Sequence, residues 1–340
     1  MNLLRFALRR LLFAVVVLAS VLTITFVLSH LIPGNVLQAW LGRSAAQFPN
    51  LAAQYAQKYH LTDSIPVQYF YYLVNMLQGN LGISPSRGFI PVSQVISETL
   101  PFTLQIVFFA FIFSLAMGLL LGILAARYYR SPADKAIRLF YLGGYSSPPY
   151  FIAVILLIVF SFYLGILPSG GAYDVSLTIP YAITGLPILD SLFEGNLAYF
   201  QSAMVHVLLP SFSLALASFG IITRVARSSL LEVMQTDYIR AARAKGLSEG
   251  AVFFRHALPN ASVSLITISS LIVTFLITGT IFVESIFAYP GMGQYVVSAL
   301  AGLDYPGVLA TTLVFAVVIV ATNFVADVLY AYVDPQIRLG

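Results

Sequence analysis

Six long apolar stretches divide this chain, and each is close to the length that an α-helix needs to cross a bilayer. A soluble domain would need more polar surface, because 59% of the 340 residues are hydrophobic, only 9% are charged and the mean hydropathy is +0.90. The sequence therefore predicts an all-α membrane protein with six transmembrane helices. The predicted spans are Leu11–Ile32, Pro101–Leu124, Leu139–Leu167, Val207–Thr223, Ala261–Val283 and Val308–Tyr330.

The second and third spans carry residues that shape a helix. Small residues along the second span, at Gly118, Gly122 and Ala126, predict close packing against a neighbouring helix. The third span is interrupted by glycine, serine and proline between Gly143 and Pro149. Two interpretations stay open there: one kinked helix over the whole span, or a helix that begins near Pro148.

The basic residues predict the orientation in the membrane. Fourteen of the seventeen Lys and Arg residues flank the spans on one side, and short loops with an excess of positive charge stay in the cytoplasm. The sequence therefore predicts a multi-pass protein of the cell membrane with both termini cytoplasmic. The three exceptions, Arg43, Lys58 and Arg87, fall on the outer side. The net charge of +4 then follows from topology and indicates no nucleic-acid partner.

This topology divides the chain into four parts. Residues 1–32 form the cytoplasmic N-terminus and first helix, 33–100 an extracytoplasmic segment, 101–334 a core with five further spans, and 335–340 a cytoplasmic tail. The extracytoplasmic segment contains an aromatic run with helical spacing from Tyr69 to Leu77, which predicts a small cap packed on the bundle.

The longest cytoplasmic loop, Asp237–Asn260, predicts two short helices. Helix formers extend from Asp237 to Lys245, and Gly246 is expected to end this helix in a left-handed conformation. Ser248 is expected to cap the second helix, and Pro259 to limit it before the next span.

The same loop has a surface suited to contact with another protein. Ala241, Ala242 and Ala244 give a face of low relief, and Arg240, Arg243 and Lys245 are predicted to be free to pair with acidic partners. The alternative is a basic loop that lies on anionic lipid headgroups of the bilayer.

The spacing of paired alanine, glycine and Leu-Pro in this loop resembles the coupling loop of ABC importer permeases. The matching residues are Ala241, Ala242, Gly246, Leu247, Leu258 and Pro259. Motifs elsewhere resemble the dipeptide/oligopeptide/nickel family of these permeases, whose members are inner-membrane components of binding-protein-dependent transport systems. They are Pro33-Gly34, Ile65–Tyr69, Gly79–Ser84, Pro91-Val92, Val283–Phe287, Pro290–Gly293, Asp304–Pro306 and Asp334–Arg338.

The resemblance implies a type I ABC importer permease with a cytoplasmic coupling-helix loop. It implies a second homologous permease subunit, two ATP-binding cassette ATPase subunits and an extracytoplasmic solute-binding protein as partners, within the lipid bilayer. It also implies that this chain binds no cofactor or metal, and that ATP and magnesium bind to the ATPase subunits. Arg240, in place of the usual glutamate, and His256, in place of an aliphatic residue, depart from the general importer loop.

The resemblance implies import of dipeptides or oligopeptides, with oligosaccharides or nickel chelates as alternatives. An ATP-independent channel or secondary carrier is the alternative of another class. An enzyme is not indicated, because the chain contains neither a phosphate-binding Gly-x-x-x-x-Gly-Lys-Ser/Thr loop nor a His-Glu-x-x-His pair. An intramembrane hydrolase with Ser146 as nucleophile lacks a histidine that the sequence pairs with it.

Two acidic residues near the ends of spans are candidates for a gate or vestibule, because charges at membrane depth face a cavity or a partner. Glu284 closes the fifth span, where it is expected either to line the vestibule or to hold the following turn. Asp327 lies near the cytoplasmic end of the sixth span, four residues after Asn323.

Overall fold

The structure is a computed structural model that describes residues 3–31, 49–181 and 183–333, and helices make up most of it. The helices are α1 (Leu3–Leu31), α2 (Pro49–Lys58), α3 (Ile65–Leu77), α4 (Val92–Arg127), α5 (Pro132–Ser146), α6 (Pro149–Leu156), α7 (Pro187–Phe193), α8 (Leu197–Val233), α9 (Asp237–Ala244), α10 (Glu249–Ala251), α11 (Leu258–Ile286), α12 (Met292–Gly302) and α13 (Tyr305–Val333). Strands β1 (Ile83–Ser84) and β2 (Ile90–Pro91) pair as an antiparallel hairpin. Two π-helical segments, Leu157–Tyr163 and Val252–Ala257, continue α6 and join α10 to α11.

Four of the described helices are long and apolar enough to cross a membrane, namely residues 8–28 of α1, α4, α8 and residues 305–326 of α13. The pair formed by α5 and the α6 segment makes a fifth if it is taken as one bent span. Helix α11 has 29 residues, but its apolar described part, Leu271–Ile286, is shorter than a span. The predicted all-α membrane architecture is confirmed, whereas the structure gives four or five spans by this criterion in place of six.

The core of the bundle is the close contact between α4 and α8. A Cβ atom on Gly118 would lie 2.5 Å from Cβ of Ile222, and one on Gly122 would lie 2.6 Å from Cβ of Ala226. One turn from Gly118, the hydroxyl groups of Ser114 and Ser218 lie 2.6 Å apart. The predicted role of both glycines in close packing is confirmed, because neither position has room for a side chain.

The third predicted span is broken. Helix α5 ends at Ser146, α6 begins at Pro149, and the two helix axes differ by 104°. Proline at 148 and 149 explains the break, since Pro148 disfavours helical conformation before it and Pro149 supplies no N–H to the preceding turn. The structure therefore has a helix that begins just after Pro148, and the interpretation as one continuous kinked helix is wrong.

The segment before α4 packs on the bundle through its aromatic residues. Tyr72 is buried with Phe26 of α1 and Leu309 of α13, and Tyr69 packs at the edge of the same cluster. Tyr69 also forms a 2.7 Å hydrogen bond with Thr23. The predicted packing of the aromatic run is confirmed for Tyr69 and Tyr72, whereas Phe70 and Leu77 are exposed.

The hairpin is joined to the end of the bundle by a buried carboxylate. Asp304, between α12 and α13, accepts hydrogen bonds from the hydroxyl groups of Ser84 and Ser86 and from the Gly307 N–H. Tyr295 donates to Ser84 Oγ at 3.0 Å. These bonds fix the hairpin on the junction of α12 and α13.

Candidate functional site: the loop between α8 and α11

Helix α9 is held on the bundle by one face. Ile239 and Ala242, three residues apart, are buried against Leu230 of α8. Ala241 lies on the opposite face and is exposed, and Tyr238, one turn before Ala242, is also exposed. Asp237 in the first turn interacts favourably with the positive end of the helix dipole. The predicted low-relief face is therefore present at Ala241 and Ala244, whereas Ala242 contacts the bundle.

The turn after α9 follows the sequence prediction. Gly246 has φ +79°, and its N–H donates to the Arg243 carbonyl at 2.9 Å. The left-handed conformation favours glycine, since a Cβ atom would add strain there. Ser248 accepts a hydrogen bond from the Ala251 N–H at 3.3 Å and caps α10, as expected. Leu247, between these two residues, is exposed.

Arg240 and Arg243 each pair with an acidic residue of this loop, which corrects the prediction that they are free. Arg243 donates from Nε and Nη2 to the two carboxylate oxygens of Glu249, at 2.8 and 3.2 Å. Arg240 contacts Asp237 at 3.1 Å. The Arg243 guanidinium holds the pKa of the Glu249 carboxyl below its usual range. Lys245 is exposed and has no ion pair among the described residues.

The second half of the loop runs into α11 without a break. Val252, Phe253 and Ala257 are buried, while Phe254 points outward with 57% of its surface exposed. Pro259 follows the π-helical segment Val252–Ala257 within one continuous helical run, so its missing N–H removes one helical hydrogen bond there. The prediction that Pro259 limits the helix is therefore wrong, because the helix passes through Leu258 and Pro259 into α11.

A small apolar cluster anchors both halves of the loop to the ends of α4 and α8. Its buried members are Leu230, Ile239, Ala242, Val252, Phe253, Ala257 and Ala261, with Ile123, Ala126, Val233, Met234 and Leu258 packed around them. The loop therefore presents one fixed surface outward, formed by Tyr238, Ala241, Ala244, Lys245 and Leu247. We call these five residues the outer face. Sequence reasoning missed Tyr238, although its spacing of three residues from Ala241 places both on one helical face.

Glu284 is fully buried and holds the turn that follows α11. Its carboxylate accepts hydrogen bonds from Thr103 Oγ1 at 2.7 Å, the Gly293 N–H at 2.6 Å and the Gln294 N–H at 3.1 Å. A Cβ atom on Gly291 would lie 2.3 Å from Glu284 Oε2. Glu284 therefore holds the turn after α11, which is the second of the two roles expected from the sequence. The side chain of Asp327 lies outside the described residues.

Comparisons with known proteins place the chain in one family over most of its length. Residues 118–339 match the family described as binding-protein-dependent transport system inner membrane component, and residues 3–107 match the N-terminal family of such membrane components.

Curated relatives match over nearly the full chain. The probable D,D-dipeptide transport system permease protein DdpB of Escherichia coli is 36% identical over 96% of this chain and 95% of its own length. The oligopeptide transport system permease protein AppB of Bacillus subtilis is 35% identical over 98% of this chain and 99% of its own length. The di/tripeptide transport system permease protein DppB of Pseudomonas aeruginosa is also 35% identical, again over 98% of this chain and 99% of its own length.

A solved structure has the same fold. A chain of the inward-facing MetNI methionine ABC transporter superposes with a TM-score of 0.52 at 17% identity, and the match covers 71% of this chain and 97% of that one. This likeness concerns the fold alone. The family models and the relatives show that the chain belongs to the family of binding-protein-dependent transport system inner membrane components, the permease subunits of ABC importers.

Proposed function

We propose that this chain imports dipeptides or oligopeptides as one of two permease subunits, and that its outer face is where an ATPase subunit docks. The observation that carries the proposal is the asymmetry of α9. Its inner face, Ile239 and Ala242, is buried in the apolar cluster, while Ala241 on its outer face is exposed. A helix held this way transmits a push on its outer face to the ends of α4 and α8.

The names of the relatives support peptides as the substrate class. All three are permeases of dipeptide, tripeptide or oligopeptide systems and are about equally similar to this chain. Oligosaccharides and nickel chelates are the alternatives within the same machinery. Measuring substrate uptake with and without added peptides distinguishes a peptide importer from an importer of oligosaccharides or nickel chelates.

The proposed assembly has a second homologous permease, two ATPase subunits that bind ATP and magnesium, and an extracytoplasmic solute-binding protein. The coupling residues of this chain are Arg240, Ala241, Ala242, Arg243, Lys245, Gly246, Leu247, Leu258 and Pro259. Both termini and the loop are assigned to the cytoplasm on the basis of the positive charge around them. A gating or vestibule role stays a prediction for Asp327, and for Glu284 beside its contacts with the turn after α11.

The test replaces a small residue of the outer face with a large one. Ala241→Trp adds bulk where the ATPase is proposed to sit, but the side chain points away from the apolar cluster, so the fold is preserved. Ala133→Trp is the matched control, because Ala133 is an exposed alanine near the start of α5, on the same predicted side of the membrane.

Both variants are reconstituted in proteoliposomes with the partner subunits, and ATPase co-purification and ATP-driven peptide uptake are measured. Ala241→Trp is expected to weaken ATPase binding about tenfold or more, which equals about 1.4 kcal/mol. Ala133→Trp is expected to behave as the wild type. Equal uptake in both variants would contradict the docking role, and wild-type uptake without any ATPase would favour a secondary carrier.

A further inference from the structure

A buried ion pair joins helices α5 and α8. The Asp134 side chain is fully buried; its Oδ1 accepts from Arg227 Nε at 2.8 Å and its Oδ2 from Arg227 Nη2 at 3.0 Å. Two parallel hydrogen bonds of this kind fix both the distance and the relative orientation of the two groups. The Arg227 guanidinium also lies over the Tyr129 ring, 5.3 Å from its centroid.

The same carboxylate holds the turn between α4 and α5. Arg130 has φ 64°, which is uncommon for a residue with a side chain, and its N–H donates to Asp134 Oδ2 at 3.1 Å. Ser131 caps α5 by accepting a hydrogen bond from the Asp134 N–H. The pair therefore connects three elements: the end of α4, the start of α5 and the body of α8.

Arg227 lies on the part of α8 that carries the loop. Helix α8 ends at Val233, α9 begins at Asp237, and Ile239 of α9 belongs to the same buried apolar cluster as Leu230 of α8. A displacement of α9 therefore reaches the last turns of α8, where Arg227 lies.

Helix α5 also contacts α8 at a second place, through close backbone packing and through the Phe140 and Phe219 rings, whose centroids lie 5.3 Å apart. A Cβ atom on Gly144 would lie 2.6 Å from the Leu216 carbonyl oxygen, and one on Gly220 would lie 2.8 Å from the Tyr141 carbonyl oxygen. Packing of this kind acts over a short range, so its attraction weakens within about 1 Å of separation. The ion pair resists separation, because a buried carboxylate that loses its partners is strongly disfavoured.

We propose that the Asp134–Arg227 pair positions α5 during transport: it makes α5, and the broken span that follows at Pro149, move with α8 when the loop is displaced. The inference rests on the proposed function. Neither residue needs to touch the substrate, since both act through the position of α5. Without the pair, the ATPases still displace the loop, but the broken span no longer follows.

The measured quantity is the number of ATP molecules hydrolysed per peptide imported, in proteoliposomes that contain all subunits. Asp134→Asn keeps the size of the side chain, removes its charge and places an amide donor opposite a guanidinium donor. We expect this ratio to rise about tenfold or more while the ATPase activity stimulated by the binding protein persists. Arg138→Gln is the control, because Arg138 Nε lies 3.6 Å from Asp134 Oδ1 and its side chain is 41% exposed; it should keep the wild-type ratio.

A second variant makes the result independent of folding yield. The chain has no cysteine, so Asp134→Cys with Arg227→Cys introduces the only two thiols of this subunit. A short bifunctional thiol reagent then replaces the ion pair by a covalent link in the same polypeptide. We expect a high ratio before linking and a ratio near wild type after it.

The results distinguish a failure of this inference from a failure of the proposed function on which it rests. A wild-type ratio in assembled Asp134→Asn, or in the unlinked double variant, would overturn the positioning role. Failure of the link to lower the ratio would do the same. If the wild-type transporter itself shows no ATP-driven uptake, the proposed function is wrong instead.

Discussion

A single methyl group at Gly118 tests how closely α4 and α8 must pack. In Gly118→Ala, the new Cβ would lie 2.5 Å from Ile222 Cβ, 2.6 Å from Ile222 Cγ2 and 3.1 Å from the Phe219 carbonyl oxygen. Carbon atoms in good contact are about 3.5–4.0 Å apart, so the two helices must separate by roughly 1 Å. A change of rotamer cannot relieve the clash, because a Cβ position is fixed by its backbone.

The net effect combines two opposing free energies. Overpacking costs about 1–3 kcal/mol, and replacing glycine by alanine inside a helix gains about 1 kcal/mol. The overpacking cost is expected at the upper end of this range, because the clash is close and because separating α4 from α8 also stretches the 2.6 Å hydrogen bond between Ser114 and Ser218. We therefore expect a net destabilisation of about 1–2 kcal/mol.

The assay is thermal unfolding of the purified protein in mild detergent, with Gly143→Ala as the matched control. Gly143 is also helical, but nothing lies within 4 Å of the position that its Cβ would take. Gly143→Ala is therefore expected to raise the free energy of unfolding by up to about 1 kcal/mol. The two substitutions should shift the Tm in opposite directions. A Gly118→Ala protein as stable as the wild type would refute the steric argument.

Two further predictions concern single contacts. Thr103→Val keeps the shape of the side chain but removes two hydrogen bonds: the one that Thr103 donates to Glu284 and the 2.8 Å bond that it accepts from the Met292 N–H. We therefore expect the free energy of unfolding, measured by denaturation, to fall by about 2–4 kcal/mol. Arg243 lowers the pKa of the Glu249 carboxyl in the folded protein. The pair therefore stabilises the loop at pH values above the usual pKa of glutamate, and this stabilisation is lost as the pH falls below about 4. Hydrogen exchange of the loop should therefore be slower in the wild type than in Glu249→Gln at pH 7 and equal in both at pH 3; a difference that persists at low pH would contradict this assignment.

Local rules were enough to predict the turn of the candidate site. The left-handed Gly246 and the Ser248 cap depend on residues within three positions of each other, so the sequence carries their geometry directly. The break before α6 was also visible as Pro148-Pro149, although its angle of 104° was not. The role of Pro259 was predicted wrongly because proline usually ends a helix but is tolerated inside one next to an irregular turn, and the π-helical segment Val252–Ala257 has no clear signal in the sequence.

Contacts between distant residues could not be predicted in this way. Arg243 and Glu249 are six residues apart across a turn, and no helical spacing brings them together. Asp134 and Arg227 are 93 residues apart, so their pairing depends on how α5 lies on α8. The only sequence signal for Asp134 was a lone acid among the basic residues before the third span, which is equally typical of an exposed charge.

Buried carboxylates determine which segments of this bundle move together. Asp134, Glu284 and Asp304 are each fully buried, and each accepts at least one backbone N–H together with a side-chain donor from another element. Separating such partners leaves a carboxyl group without these hydrogen bonds, whereas apolar side chains in lipid lose little when they slide. Each carboxylate therefore ties two elements into one unit: α5 with α8, the turn after α11 with α4, and the hairpin with the junction of α12 and α13. Each of these units is then expected to stay intact during transport.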